Sequence, residues 1–130
     1  MLIRYLSKNI TEDLSEKMVF LSGPRQVGKS TLAIGLLGNK ATTEHPAYLN
    51  WDSPGVSAQL IQGKLPLNEK LIILDEIHKY SRWRNLVKGL YDKHKSSHKW
   101  LITGSARLDH YRRGGDSLQG RYHHYRLHPF

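Results

Sequence analysis

The sequence predicts an α/β fold, a mainly parallel five-stranded sheet with helices on both faces, and three observations carry that expectation. Met18-Val19-Phe20-Leu21 is a short apolar run, followed by the glycine-rich string G-P-R-Q-V-G-K-S and then by apolar residues at helical spacing. Leu71-Ile72-Ile73-Leu74 is a second run, and it ends in the two carboxylates Asp75 and Glu76. Segments of strand character alternate with segments of helical period along the chain, the pattern of a parallel sheet covered on both sides.

The elements follow in order. Leu2, Ile3, Leu6, Ile10 and Leu14 stand at near-helical spacing and predict a helix over about residues 2–15. After the first strand and its glycine loop, a helix from Ser30 to Leu37 should close at Gly38-Asn39, a good C-cap pair. Ala47 to Trp51 reads as a strand, with Asp52-Ser53-Pro54-Gly55 turning out of it, and Val56 to Ile61 as a short helix. Trp83, Leu86, Val87, Leu90 and Tyr91 form one apolar helical face. Trp100 to Ser105 is a further strand, and Tyr122 to Leu127 is aromatic enough for a fifth.

Gly23 to Ser30 matches G-x-x-x-x-G-K-[ST], whose chemistry is that of a phosphate cradle. Gly23 and Gly28 let the backbone turn sharply and approach an anion. The N–H groups of Pro24-Arg25-Gln26-Val27-Gly28 (proline excepted) and the helix start at Lys29-Ser30-Thr31 then face the phosphates of a nucleotide. Lys29 is the compact charge for the β- and γ-phosphates, and Ser30 the hydroxyl for Mg²⁺. The side chains of Arg25 and Gln26 are expected to be exposed. Asp75, delivered at a strand's carboxyl end, is the second Mg²⁺ residue, and Glu76 beside it is the candidate general base. Thr103 and Ser105 end another strand on the same edge, where ligands gather in open α/β sheets.

Composition narrows the function classes. One hundred and thirty residues are enough for one domain with a real core. There is no cysteine, hence no disulfide framework and no thiolate metal site. An early Arg4 interrupts any signal-peptide run, and no stretch approaches the ~20 apolar residues of a membrane helix, so a soluble cytoplasmic protein is the expectation. The formal charge is +9, from 20 Lys+Arg against 11 Asp+Glu, and suits a polyanionic partner. The positive residues are scattered, with no nucleic-acid motif, so nucleic acid stays a secondary candidate. Asp52 to Gly55 matches the short D-x-x-G pattern of GTPases, but no N-K-x-D follows. His94 and His98 stand at i, i+4, and His123, His124 and His128 cluster late, without the further ligands a zinc site wants.

The residues resemble the AAA+-like P-loop ATPases of prokaryotes that pair such a core with an uncharacterised C-terminal domain. The similarity runs through G-P-R-Q-V-G-K-S-T-L (23–32), L-I-I-L-D-E-I-H-K (71–79), the Trp83 helix with L-Y-D (90–92), L-I-T-G-S-A-R (101–107) and S-L-Q-G-R-Y (117–122). The resemblance implies a P-loop NTPase three-layer sandwich with sheet order 5-1-4-3-2, and adenine preference. It also implies Thr103 or Ser105 as polar sensor and Gly120-Arg121 where a phosphate-sensing or subunit-bridging arginine could sit. Such ATPases continue through a small helical lid and a second domain, whereas this sequence stops at His128-Pro129-Phe130. The expectation is a single ATPase core over residues 1–130, with weak nucleotide affinity and slow turnover. It would be an Mg²⁺-dependent ATP-hydrolysing core that drives an attached domain or protein partner, self-association included. The alternatives are a nucleotide-gated protein- or DNA-binding module and, third, a small-molecule kinase, for which no acceptor pocket is legible.

Overall fold

A computed structural model describes residues 2–23, 29–38, 40–66, 68–94, 96–104 and 122–126. In chain order these form α1 (Leu2–Leu14), β1 (Met18–Ser22), α2 (Lys29–Gly35), β2 (Tyr48–Asn50), α3 (Val56–Ile61) and β3 (Leu71–Asp75). A 3₁₀ turn (Ile77–Lys79), α4 (Trp83–His94), β4 (Lys99–Gly104) and β5 (Tyr122–Arg126) complete them. The five strands make one sheet in the order β2-β3-β4-β1-β5, every described pair parallel. Read from the other edge this is 5-1-4-3-2, so the expected order holds.

Because side chains alternate across a strand, each strand feeds two cores. Met18, Phe20, Leu49, Ile72, Leu74, Trp100 and Ile102 pack with Leu60 of α3 and with Trp83, Val87 and Leu90 of α4. The intervening Val19, Leu21, Tyr48, Ile73 and Leu101 pack on the opposite face with Ile10 and Leu14 of α1 and Leu32 and Ala33 of α2. Two covered faces explain why the strands read as continuous apolar runs rather than as alternation. Trp83 and Trp100 are buried in the first core, so neither is a surface platform for bases.

Several boundaries depart from the expectation, among them the strand expected over Ala47 to Trp51, which is confined to Tyr48–Asn50. The helix after the glycine loop ends at Gly35, and Leu36, Leu37 and Gly38 continue as i→i−3 turns (N···O 3.1, 2.9 and 3.3 Å). The last turn thus tightens to satisfy its carbonyls. The chain still reverses at Gly38, whose φ of 143° suits a residue without Cβ. The fourth strand starts one residue early, at Lys99, because its N–H finds the Lys70 carbonyl at 2.6 Å. The Asp52–Gly55 turn forms as expected, with Gly55 at φ 83° handing the chain to α3.

Candidate functional site

The parity that divides the two cores also assembles the site. Tyr48 of β2, Asp75 of β3 and Thr103 of β4 share the α1/α2 face with Ile73 and Leu101. Asn50, Asp75, Thr103 and Leu21 lie level across four neighbouring strands. On that face α2 starts at Lys29, directly after the glycine loop, and brings Ser30 over the carboxyl end of β3.

Asp75, only 3 % exposed, is the centre of the arrangement. Its Oδ1 accepts the Thr103 hydroxyl at 2.6 Å, and its Oδ2 accepts the Ser30 hydroxyl at 2.9 Å. Oδ2 also accepts a short hydrogen bond from the Tyr48 hydroxyl, onto which Asn50 Nδ2 donates in turn at 3.4 Å. Three hydroxyl donors therefore solvate a carboxylate that has left water, which is the condition for burying such a charge. Burial, and then the hydrogen bond to Asp75, push the Tyr48 phenol up to about 12. Tyr48 was not a candidate from the sequence. The signal was present only as a tyrosine at the start of the short strand Tyr48-Leu49-Asn50, and no spacing rule links it to Asp75.

Lys29 is buried, and its ammonium donates to the Gly23 carbonyl at 2.7 Å. The contact ties the lysine to the residue that opens the glycine-rich string. Ser30 and Asp75 are all-oxygen donors. Since the Ser30 hydroxyl gives its proton to Asp75, its lone pairs are left for a cation, and such a hard donor set fits Mg²⁺. Pro24, Arg25, Gln26, Val27 and Gly28, together with Ser105, Gly120 and Arg121, lie outside the described residues; Gly23 and Thr31 lie within them.

Glu76, one residue beyond Asp75, is treated differently. Its backbone is left-handed (φ 63°, ψ 19°), the only non-glycine residue at positive φ among those described. That conformation costs roughly 1 kcal/mol or more. It is held by Glu76 N–H to the Thr103 carbonyl (3.2 Å) and by Lys79 N–H to the Glu76 carbonyl (3.2 Å). The kink takes Glu76 out of strand alternation. Its carboxylate lies 3.5 Å from Lys79 Nζ and 3.7 Å from His78 Nε2, and Lys79 also pairs with Asp52 at 2.5 Å. Asp52 of the D-x-x-G string is thus the exposed partner of a lysine. That hydrogen bond to Asp52 is the main reason the Lys79 ammonium titrates above its ordinary range.

Among the described residues, no group of three or more His, Cys, Asp or Glu could hold a metal ion. His94 and His98 face each other edge-on with ring centres 5.7 Å apart, and burial lowers the basicity of His94. Among the same residues, no helix is long and apolar enough to cross a membrane.

The family profile described as "AAA domain" matches residues 15–130. Among solved structures the chain is similar to "Structure of C. elegans PCH-2", at 13 % identity and a TM-score of 0.53 over 98 % of this chain. That likeness concerns the fold, and the matched region is 41 % of the PCH-2 chain. No curated protein matches the sequence.

Proposed function

This chain belongs to the AAA domain family and is a nucleotide-binding core of the ATPase type, and we propose that it binds ATP with Mg²⁺ and hydrolyses it. One observation carries the reading: Ser30 and Thr103 converge on buried Asp75 at the strand ends, one residue from Lys29 at the start of α2. In this reading residues 1–130 act as one core domain, in the cytoplasm, and movement of its loops on hydrolysis drives an attached domain or a protein partner.

Each residue then has a defined task. Lys29 leaves the Gly23 carbonyl for the β- and γ-phosphates, and the amides of residues 24–31 orient them. Ser30 and Asp75 would hold the magnesium ion, which when bound neutralises charge on the phosphate oxygens. Tyr48 and Thr103 keep the Asp75 carboxylate in one rotamer, and Thr103 relays the state of the γ-phosphate through it. Glu76 turns from Lys79 to accept a proton from the attacking water. Arg121, from this chain or from a second copy, stabilises charge on the transferring phosphoryl group.

The same ion pair favours a second reading. With Glu76 engaged by Lys79 and His78, the chain would hold ATP as a binding module that gates a protein or DNA contact without useful turnover. Calorimetric ATP titration alongside a phosphate-release assay separates the two. Lys29→Ala is expected to abolish binding. Glu76→Gln is expected to retain ATP and lose hydrolysis by about 100-fold or more. Normal turnover by Glu76→Gln removes Glu76 as base, and wild-type binding without phosphate release selects the second reading.

A further inference from the structure

The opposite edge of the sheet carries chemistry that the nucleotide reading does not use. Lys17 precedes β1, Lys70 precedes β3, and Lys99 opens β4, and these are three adjacent strands. The pairing of Val19 with Leu101 puts Lys17 level with Lys99, and Leu71 pairs with Lys99 itself. At about 4.8 Å between strands the three lysines lie within roughly 10 Å of one another. All three line one recess of about 380 Å³, together with Ser96, Tyr91 and Trp100. Glu16 is the only acid among the described residues of that lining. Among the described residues none of the three lysines has an ion-pair partner.

Three ammonium groups stand against one carboxylate among the described residues of this lining, a balance that favours an anion. Helices α1 and α4 also end on this side, and their terminal carbonyls, about half a negative charge each, attract cations. Lys93 already answers that for α4. Three full charges exceed what remains.

We propose that this recess binds the phosphodiester backbone of single-stranded nucleic acid. The amino-terminal ends of β1, β3 and β4 bring three positive charges to one recess, as a backbone of successive phosphates requires, and an unpaired strand can bend to follow so short a basic surface. It lies a strand's length, roughly 17 Å, from Asp75, so both ends of the sheet can be occupied together.

The test is fluorescence anisotropy of the 130-residue chain with a labelled single-stranded 12-mer, titrated at several salt concentrations. Lys17→Gln/Lys70→Gln/Lys99→Gln should weaken binding by about tenfold or more and reduce the slope of log affinity against log salt by about 2. A charge-matched variant outside the lining, Lys8→Gln/Lys40→Gln/Lys64→Gln, should keep the wild-type slope to within about half a unit. ATP titration and a thermal melt of each variant report folding. Equal losses in the two triple variants would reduce the effect to net charge and overturn the proposal. So would tighter binding of a duplex than of the single strand. Saturation by millimolar inorganic phosphate without oligonucleotide binding would assign the recess to a free anion and overturn it equally.

Discussion

Asp75 and Glu76 are neighbours in sequence with the same functional group, yet the fold gives them opposite surroundings. Asp75 is 3 % exposed and accepts from Ser30, Tyr48 and Thr103. Glu76 sits on a left-handed kink, partly open, against the Lys79 ammonium and the His78 imidazole. The difference teaches that the end of a strand is where alternation stops protecting a side chain. The last residue in register inherits the packed face, and the next is free to be aimed elsewhere at the cost of local strain.

The largest effect is expected from removing the buried carboxylate. Asp75→Ala leaves three hydroxyls around an empty acceptor and should cost about 2–4 kcal/mol of stability, read as a lower urea midpoint. Glu76→Ala, by contrast, should leave the midpoint within about 1 kcal/mol, because its lysine partner is 36 % exposed and keeps Asp52 as a second partner. If the two alanine variants unfold alike, the contrast between the neighbours fails.

A smaller effect is expected from Tyr48→Phe, which deletes one of three donors to Asp75 and should cost about 1–2 kcal/mol. It also tests the pH dependence. Burial first, and then the acceptors Asp75 and Asp13, push Tyr48 and Tyr125 up to about 12 from an ordinary 10. In both cases the folded pKa is raised above the unfolded value. Their contribution is therefore complete below about pH 10 and is lost as pH rises from about 10 to 12. Urea midpoints of wild type should fall across that window, and Tyr48→Phe should fall less steeply. An unchanged slope would remove Tyr48 from the buried network.

The smallest effect belongs to the surface half of the comparison. Lys79→Gln breaks contacts with Asp52 and Glu76, yet its side chain is 36 % exposed, and the change in stability should be about 0.5 kcal/mol or less. Denaturation in low and high salt checks this, since the wild-type pair should weaken as salt rises. A loss above about 2 kcal/mol would mean that the kink at Glu76 depends on the lysine.

Much of this was legible in the sequence, for identifiable reasons. Strands β1, β3 and β4 are buried on both faces and hence uninterrupted in their apolar residues, and α3 begins where the Asp52–Gly55 turn releases it. Ser30, Asp75 and Thr103 could be named because each sits at the edge of such an element. The Ile77–Lys79 turn was not legible, since three residues of 3₁₀ helix carry no periodicity, and neither was the left-handed Glu76, a conformation that glycine normally marks. Tyr48 was missed because its partner lies 27 positions away on the next strand. Arg121 and Ser105 fall outside the described residues, and the role proposed for Arg121 comes from the family resemblance.

The order of the elements, their two-sided burial and the residue types at the strand ends were determined by the sequence itself, because periodicity and the chemistry of a glycine-rich turn are local properties. Only the tertiary structure decided which hydroxyls would meet Asp75, where Glu76 would point, and that Lys17, Lys70 and Lys99 would share one recess. Those outcomes depend on strand register and crossover, which bring together residues tens of positions apart, and no local pattern encodes that distance.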